Sequence, residues 1–327
     1  MQRLSLLVLL LVLLGGAWLF FDNFQLEGLD QVTVRRRSND AVDERETAAV
    51  THARDGGVIR VASFNIQVFD ESKARKPHVV EVLAAIVRRF DVVAIQEIRA
   101  ANQQLLPAFV EQINADGHRY DYVIDTRQGR TGCDDQYAFV FDTATIQVDR
   151  SACYNIDDPH DLLHWPPLVC AFRVRDVRPE EAFTFVMINV HTDLDKVEEE
   201  VNALAEVYRA VRQASAGEDD IILLGSLNTD DCQLGNLAEI AGIRAAISGV
   251  ATNTRGTKQY DNIVFHEQST TEFTGRAGVF DVMRALNLTM QQTLEISDHL
   301  PVWAEFSIYE HGPGGPVAAR PEGRVAH

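Results

Sequence analysis

Seven polar residues stand where predicted β-strands begin or end, and their side chains are of the types that carry out hydrolysis. They are Asn65, Glu97, His191, Asn228, Asp261, Asp298 and His299. An imidazole, whose unperturbed pKa lies near ~6.5, can take a proton from an attacking water molecule. A carboxylate such as Glu97 can anchor Mg²⁺, which prefers oxygen ligands and keeps several of its own waters. Two imidazoles with several carboxylates and amides therefore indicate metal-assisted transfer of a phosphoryl group to water.

Asp298 and His299 come directly before the segment Val302–Ile308, in which apolar and polar residues alternate. This alternation predicts a half-buried strand. Pro301 cannot donate a hydrogen bond to a neighbouring strand, so it belongs at the first positions of this one. We therefore expect Asp298 and His299 on a loop that a rigid strand holds in place, as is common for catalytic groups.

A strand at 58–66, a helix behind Pro77 and a second strand at 91–97 are predicted in succession. Both strands are largely apolar, and between them apolar residues recur every three or four positions, as in an amphipathic helix. Together they form a βαβ-like unit. Asn65 and Glu97 lie near the ends of the two strands, so we expect these two side chains to lie side by side.

Four further apolar runs predict strands later in the chain. They lie at 168–174, 183–190, 221–225 and 260–265. The second of them runs straight into His191, and a long helix with one apolar face follows over 197–211. Many strands with few long helices predict an α/β fold in which two mixed sheets pack face to face, with the helices outside.

Segments 136–141 and 145–149 flank a short turn and are predicted to form a β-hairpin. Cys133 and Cys153 each lie ten residues from Thr143, so antiparallel pairing would place them opposite one another. In an exported domain this arrangement predicts a disulfide bond between them. In a cytoplasmic domain, two unpaired thiols are the better interpretation.

The chain carries a formal net charge of −18 and is 46% hydrophobic. The negative charge excludes the broad basic surface of a protein that binds nucleic acid tightly. It is compatible with a hydrolase that binds a few phosphates through a divalent metal ion, because the ion supplies the missing positive charge. The length of 327 residues favours one packed globule with tails, and we expect a monomer.

The N-terminal run Leu4–Phe21 contains eighteen residues, of which only Ser5 is polar. A helix of this length would just cross a hydrocarbon core of ~30 Å. No small-residue cleavage site follows, so we expect an uncleaved membrane anchor over 1–21, with a cleaved signal peptide as the alternative. Only three residues precede the run, which favours a catalytic domain exported from the cytoplasm.

The remaining boundaries follow from composition. Residues 22–57 are polar, charged and aperiodic, and we interpret them as a linker to a folded domain over 58–309. Residues 310–327 are rich in proline and glycine, a composition that cannot form a packed core. We therefore expect this C-terminal tail to be disordered.

Six short motifs, in this order along the chain, closely resemble those of the endonuclease/exonuclease/phosphatase superfamily. They are Ser63–Ile66, Ile95–Arg99, Asn189–His191, Leu224–Asn228, Tyr260–Val264 and Ser297–Val302. The resemblance extends over residues 58–308 and is strongest to deoxyribonuclease I-like endonucleases. It implies a four-layer α/β sandwich and Mg²⁺-dependent hydrolysis of phosphodiester bonds, with Mn²⁺ or Ca²⁺ as other candidate ions.

The resemblance implies a metal site and a general base. Glu97 corresponds to the metal ligand of the family, Asn65 lies beside it, and Asp298 serves the same site. His299 corresponds to the general base, which Asp261 would orient. These five residues account for activation of the attacking water.

The resemblance also implies contacts with the substrate. His191 corresponds to the second catalytic histidine of the family, and Asp135 falls where nuclease-like members keep its acidic partner. Asn228 corresponds to a residue that binds the scissile phosphate. Arg99 matches a position that contacts the nucleic-acid backbone, and Tyr260 matches a tyrosine on the substrate side.

Two positions depart from the family pattern. The fourth motif normally reads Gly-Asp-Phe/Leu-Asn, and Ser226 stands in place of the Asp. Loss of one such carboxylate is expected to lower the rate by ~10²–10⁴ unless Asp230 or Asp231 substitutes for it. Trp165 stands where deoxyribonuclease-like members usually have an arginine, which weakens phosphate binding, although its ring can stack on a base.

The function predicted from these features is a membrane-tethered, metal-dependent endonuclease that acts on DNA rather than RNA. Two alternatives stay open. Ser226 motivates a degenerate family member that binds phosphodiesters or a partner without turnover. The predicted anchor motivates a phosphodiesterase that acts on lipid headgroups, as some branches of the superfamily do.

Overall fold

The computed structural model describes residues 57–125, 135–175, 177–215 and 217–311. The chain divides into two compact units, Met1–Ala53 and Arg54–His327, and every described residue belongs to the second. The predicted anchor over 1–21 lies outside the described residues, as do nearly all of the predicted linker and tail. Within the described ranges, no helix is long and apolar enough to cross a membrane.

Twelve strands and seven helices are formed by the described residues. The strands are β1 (Val58–Phe69), β2 (Val92–Ile98), β3 (Tyr120–Ile124), β4 (Gln136–Asp142), β5 (Ile146–Asn155), β6 (Leu168–Val174), β7 (Thr184–His191), β8 (Ile221–Ser226), β9 (Ile243–Ala245), β10 (Asp261–His266), β11 (Phe273–Val279) and β12 (Val302–Ser307). The helices are α1 (Glu71–Ala74), α2 (Pro77–Val87), α3 (Leu105–Asn114), α4 (Val197–Ala214), α5 (Gly235–Ala238), α6 (Val282–Ala285) and α7 (Met290–Ile296).

The strands form two six-stranded sheets. The first has the order β11-β12-β1-β2-β4-β3 and the second β5-β6-β7-β8-β10-β9. In the first sheet only β1 and β2 are parallel neighbours, and in the second only β7 and β8 are. The remaining neighbours are antiparallel. The prediction of two mixed sheets is therefore confirmed.

The two sheets pack face to face around a core rich in phenylalanine. Phe139 of β4, Phe172 of β6 and Phe306 of β12 all contribute to it, and the rings of Phe139 and Phe172 meet edge to face with centroids 5.2 Å apart. Such rings bury large apolar areas and stabilise the contact between the sheets. Helices α2 and α3 cover the outer face of the first sheet, and α4 covers the outer face of the second. The layers are thus helix, sheet, sheet and helix.

The predicted hairpin between segments 136–141 and 145–149 is wrong. Strand β4 pairs with β2 and β3 in the first sheet, whereas β5 pairs with β6 in the second. The chain therefore crosses from one sheet to the other at the turn between them. Cys153 of β5 is consequently bonded to Cys170 of β6, with their Cα atoms 4.2 Å apart. This pairing replaces the expected bond from Cys153 to Cys133, a residue outside the described ranges.

Strands β7 and β8 approach one another very closely at Gly225. A Cβ atom at this position would lie 1.8 Å from the carbonyl oxygen of Val190, so only glycine fits. The pairing places His191, at the end of β7, beside Ser226. On the other side of Ser226, strand β10 places Asp261. The glycine of the motif thus sets the register of three residues that were predicted from the sequence to be functional.

Candidate active site

Several strands of both sheets bring polar residues to the same end of the sandwich. In the first sheet, the parallel strands β1 and β2 deliver Asn65 and Glu97. In the second sheet, Ser226 lies between His191 and Asp261. Glu97 Oε1 and His191 Nε2 are 3.7 Å apart, so residues of the two sheets meet directly. The convergence expected from the sequence is present in the structure.

His299 lies just before β12 and contacts Asp261 of the opposite sheet. The distance from His299 Nδ1 to Asp261 Oδ2 is 2.9 Å, and both residues are buried. An ionised carboxylate only accepts hydrogen bonds, so Nδ1 carries the proton of the neutral ring and Nε2 is its acceptor. Thr252 Oγ1 donates to Asp261 Oδ2 at 2.7 Å and fixes the carboxylate. Thr252 is not among the site residues predicted from the sequence, and its spacing from Asp261 and His299 does not indicate this contact.

The surroundings of His299 favour its protonated form. Burial lowers the pKa of His299, but the charge and hydrogen bond of Asp261, together with Asp298 and Glu97, raise it to about 9. A cation bound near Glu97 and Asp298 would cancel part of this negative charge and favour the neutral ring. The carboxylates around His299 therefore suit a site that also holds a metal ion.

Glu97 is fixed in position by hydrogen bonds to both carboxylate oxygens. Asn65 Nδ2 donates to Oε1 at 2.9 Å, and the backbone N–H of Val68 donates to Oε2 at 3.0 Å. Burial raises the pKa of Glu97, but its partners, among them the Asn65 amide, Arg99 and the backbone of Val68, lower the pKa below its usual value. An ionised, fixed carboxylate is what a hard divalent cation requires. Glu97 also has a φ of +63°, an uncommon backbone conformation that recurs at functional sites.

Asp298 completes the possible ligand set from the first sheet. Its side chain is half exposed, and Oδ1 lies 3.9 Å from His299 Nε2. Its backbone N–H donates to the Gln67 side chain at 3.2 Å, which ties the loop before β12 to the end of β1. An exposed carboxylate that faces the general-base candidate can reach an ion or a water molecule there. Glu97 and Asp298 are thus a donor set that fits Mg²⁺.

Lys73 is a functional candidate that the sequence does not reveal. Its ammonium group is buried and donates to the carbonyl oxygens of Ile66 and Gln67, both at 2.6 Å. Burial lowers the pKa of Lys73 to about 8, although Glu97 and Asp298 oppose this. The buried cation stabilises the turn that follows Asn65 and lies close to both carboxylates. In the sequence, Lys73 reads as an ordinary charged residue of a short helix.

His191 is buried, and Glu97 Oε1, which lies 3.7 Å from Nε2, is beyond hydrogen-bond distance. Its Nδ1 forms no hydrogen bond, and Asp135 Oδ2 is 4.0 Å away. Arg99 instead binds Asp135, with an Nη2–Oδ2 distance of 3.1 Å. Burial lowers the pKa of His191 to about 4, despite the opposing charge of Glu97. His191 is therefore neutral at physiological pH and carries one N–H donor.

Trp165 stacks on His191, with ring centroids 4.5 Å apart and planes 2° from parallel. The indole is only 8% exposed, and His164 packs against it as well, with centroids 4.1 Å apart. The expectation that Trp165 stacks on a nucleic-acid base is not supported by this placement, because residues of the same chain cover the ring. The indole orients His191 instead.

Asn228 and Tyr260 lie on the second-sheet side of the site. Asn228 has a φ of +52°, and its Nδ2 donates to the backbone oxygen of Thr192 at 2.7 Å. Its backbone N–H donates to the carbonyl of Tyr260 at 2.9 Å. The Tyr260 ring lies 5.4 Å from the ring of His299. Both residues are partly exposed, and Tyr260 lies beside the general-base candidate.

Ser226 is fully buried, and its hydroxyl has no hydrogen-bond partner. The two aspartates considered as substitutes for the missing carboxylate are engaged elsewhere. Asp230 accepts a hydrogen bond from the backbone N–H of Cys232, and Asp231 accepts one from the Ser248 hydroxyl at 2.6 Å. Neither therefore takes the position of the missing Asp. The structure leaves a neutral hydroxyl between His191 and Asp261.

A buried amide pair joins the two sheets beneath the site. Gln96 Nε2 donates to Asn189 Oδ1 at 2.7 Å, and Asn189 Nδ2 donates to the carbonyls of Ile95 and Ala138, both at 3.1 Å. Fully paired buried amides of this kind hold neighbouring strands in one geometry. Both residues belong to motifs that carry the family resemblance, and neither is among the site residues predicted from the sequence.

Comparison with known proteins places these features in a family context. The sequence profile of the Endonuclease/Exonuclease/phosphatase family matches residues 62–299. Human "Deoxyribonuclease gamma" is 29% identical over 262 residues, which cover 75% of this chain and 84% of the relative. "Deoxyribonuclease-1-like 1" of Cricetulus griseus is 31% identical over 265 residues, which cover 77% of this chain and 85% of the relative.

Solved structures agree with this fold. The catalytic domain of human Nocturnin with bound sulfate has a TM-score of 0.53 at 14% identity, and the match covers 77% of this chain and 94% of that one. A mannosyl-6-phosphatase of Bacteroides thetaiotaomicron has a TM-score of 0.52 at 16% identity, with coverage of 75% and 98%. At this level of identity the likeness establishes the two-sheet α/β sandwich and not the substrate.

Proposed function

The chain belongs to the endonuclease/exonuclease/phosphatase family, and on that premise we propose that it is a metal-dependent endonuclease that hydrolyses DNA. The observation that carries the proposal is the buried His299–Asp261 pair, at 2.9 Å, on the same edge as the ionised Glu97. Its relatives include proteins named as deoxyribonucleases, which supports a nuclease over other phosphodiesterases.

In the proposed mechanism, His299 takes the proton of the attacking water at Nε2. Asp261 holds the opposite nitrogen, keeps the ring in the required tautomer and stabilises the imidazolium that forms. Glu97 and Asp298 would hold a divalent ion, with Asn65 fixing Glu97 through its amide. When bound, such an ion supplies positive charge for the phosphate oxygens.

The second-sheet residues bind the phosphate in this proposal. His191 is neutral and offers an N–H donor to an oxygen that gains charge in the transition state. Asn228 lies on the same side, with its backbone held against Tyr260. Arg99 is partly exposed beside Glu97 and supplies a positive charge for the nucleic-acid backbone. The net charge of −18 makes these local contacts necessary, because no broad basic surface attracts DNA.

The absence of a carboxylate at Ser226 favours one second candidate, a family member that binds phosphodiesters without turnover. The Ser226→Asp substitution separates the two. A gain in nicking rate on the order of 10² would support degeneracy, because the restored carboxylate would complete an inactive site. Unchanged or lower activity would support a working site arranged around the serine, since a buried carboxylate would then add charge without a partner.

The proposal includes a membrane anchor over 1–21, with the catalytic domain outside the cytoplasm. The Cys153–Cys170 disulfide supports an oxidising compartment, where such bonds form and persist. Digestion of intact cells with an external protease tests this location. Loss of the domain in intact cells is the expected result, and protection until the membrane is broken would contradict it.

The nuclease proposal is tested with the full chain and supercoiled plasmid DNA. We expect nicking with Mg²⁺, no nicking with EDTA, and loss of nicking in His299→Ala. His118→Ala is the matched control, because His118 pairs with Asp116 at the opposite end of the sheets. Vesicles of sphingomyelin or phosphoinositide serve as alternative substrates. Hydrolysis of the lipid with intact DNA would contradict the proposal, as would nicking that survives His299→Ala.

A further inference from the structure

A bulge in strand β1 faces the proposed metal ligand Glu97. The segment Asn65–Phe69 of β1 pairs at its two ends with Gln96 and Ile98 of the parallel strand β2. The three inner residues, Ile66–Val68, therefore stand opposite Glu97 alone. We call these three residues the β1 bulge. Bulges are frequent next to active sites, where the extra residues bend the strand and redirect a side chain.

The β1 bulge contacts both residues that are proposed to hold the ion. The backbone N–H of Val68 donates to Glu97 Oε2 at 3.0 Å. The side-chain oxygen of Gln67 accepts a hydrogen bond from the backbone N–H of Asp298 at 3.2 Å. The backbone N–H of Gln67 also donates to Asn65 Oδ1 at 2.9 Å, and the Asn65 amide in turn donates to Glu97 Oε1. The shape of the bulge therefore determines where the two carboxylates lie.

The backbone of the β1 bulge adopts an unfavourable conformation. Gln67 has a φ of +47° and Val68 has a φ of +51°. Residues other than glycine rarely adopt this left-handed conformation, and a β-branched residue such as Val68 does so least readily. Backbone strain of this kind persists only where the surrounding structure holds it in place. The bulge therefore depends on contacts from outside β1.

Lys73 of helix α1 makes such contacts. Its Nζ donates to the carbonyl oxygens of Ile66 and Gln67, both at 2.6 Å, and the side chain is only 9% exposed. A bulge disrupts the hydrogen bonds between strands, and buried carbonyl groups then need another partner. The backbone N–H of Lys73 donates to the carboxylate of Asp70, the N-cap of α1, at 2.7 Å. The ammonium group is thus held by the helix and in turn holds the bulge.

We propose that Lys73 is a positioning residue of the active site, which holds the β1 bulge in the shape that orients Glu97 and Asp298 towards the divalent ion. This inference rests on the proposed function, because that function assigns the two carboxylates to the ion. The charge of Lys73 alone would have the opposite effect. Lys73 interacts electrostatically with Glu97 and with Asp298, so its charge competes with that of a bound cation. Geometry and charge therefore make opposite predictions for the loss of this side chain.

The test measures Mg²⁺ binding to the full chain by isothermal titration calorimetry, after bound ions have been removed with EDTA and dialysis. The part of the binding that is lost in Glu97→Gln reports the proposed ion site. We expect Lys73→Met to weaken this binding by ~10–100-fold, the effect typical of residues that support metal ligands. A side chain that acted only through its charge would give the opposite result, tighter binding in Lys73→Met, because a competing positive charge is removed.

Lys76→Met is the matched control, because Lys76 carries the same charge nearby in the chain but is exposed and forms no side-chain capping hydrogen bond. Its affinity for Mg²⁺ should equal or exceed that of the parent. Lys73→Gln, whose amide can still donate to a carbonyl, repeats the measurement if Lys73→Met does not fold by circular dichroism.

Three results would overturn the role of Lys73. They are unchanged or tighter Mg²⁺ binding in the folded variant, loss of the fold in both Lys73 variants, and a parent chain without binding that depends on Glu97. Binding that depends on Glu97 and weakens in Lys73→Met, in a parent that does not nick DNA, would instead contradict the nuclease proposal and support the role of Lys73.

Discussion

The two histidines of the site are buried to a similar degree but lie in opposite electrostatic surroundings. Burial lowers the pKa of His299, yet Asp261 at 2.9 Å, with Asp298 and Glu97, raises it to about 9. Burial also lowers the pKa of His191, and the charge of Glu97, 3.7 Å away, opposes burial without reversing it, so the pKa falls to about 4. The difference in pKa between the two histidines therefore comes from the position of the neighbouring carboxylate and not from exposure to solvent.

Arg99 explains much of this contrast. Asp135 is the expected acidic partner of His191, but it binds the Arg99 guanidinium and stays 4.0 Å from the ring. Asp261 has no such competitor among its hydrogen bonds, since Thr252 is its other side-chain partner. A histidine and a carboxylate in one site thus need not form a functional pair. The position of a third, cationic group decides whether they do.

Breaking the His299–Asp261 pair should have the largest effect. In Asp261→Asn, the amide can donate to Nδ1 and favour the wrong tautomer, so kcat for plasmid nicking should fall by ~10³–10⁴. The Thr252 contact keeps the side chain in place, and the fold should remain intact by circular dichroism. Activity close to that of the parent would show that His299 does not need its carboxylate.

Removing the support of His191 should have the next largest effect. Trp165→Leu takes away the ring that lies parallel to the imidazole, and kcat should fall by ~10² because His191 is no longer held in position. Trp165→Phe keeps a flat ring and should retain most activity. Equal losses in both variants would indicate damage to packing rather than lost orientation of His191.

Asp135→Asn should lower the rate of plasmid nicking less than Asp261→Asn or Trp165→Leu. The carboxylate is 4.0 Å from His191, and its contact with Arg99 can persist through the amide oxygen. We expect nicking to fall by ~10-fold, mainly through weaker positioning of Arg99. A loss of activity as large as that of Asp261→Asn would mean that Asp135 supports His191 as strongly as Asp261 supports His299, which would contradict the contrast between the two pairs.

The smallest effect on activity concerns Asp125, a buried carboxylate near this end that forms no ion pair with any lysine or arginine in the described part of the chain. Burial raises the pKa of Asp125 to about 8, although Asn155 and the backbone of Tyr137 donate to it. The folded chain thus keeps a proton that the unfolded chain releases above pH ~4, so stability falls as the pH rises from ~4 towards ~8. Asp125→Asn should lose this pH dependence, so its free energy of unfolding should rise relative to that of the parent by about 4 kcal/mol between pH 5 and 8. A difference in unfolding free energy between Asp125→Asn and the parent that is the same at all pH values would contradict this.

The fold could be predicted from the sequence where the signal is periodic. Pro77 begins α2 as expected, and the apolar face over 197–211 is buried in α4. The hairpin prediction failed because turn residues mark where a chain reverses and not which sheet it then joins. Strand β5 enters the second sheet, and the pairing of Cys153 changes with it.

The candidate site could be predicted in part. Motif order identifies His299, Asp261 and Glu97, which do meet at one edge. Local sequence could not reveal that Trp165 is covered by histidines, because its partner His191 is distant along the chain. Lys73 and Thr252 were missed for the same reason, since their contacts depend on tertiary packing alone.

The most direct test of the account is chemical rescue of His299→Gly by imidazole, measured as single-turnover nicking of plasmid DNA with Mg²⁺. Free imidazole can occupy the vacated space beside Asp261 and accept the proton in place of the missing ring. We expect added imidazole to restore nicking in His299→Gly and to leave Glu97→Gln inactive. Nicking by His299→Gly at the parent rate without imidazole would contradict the role of His299 as general base.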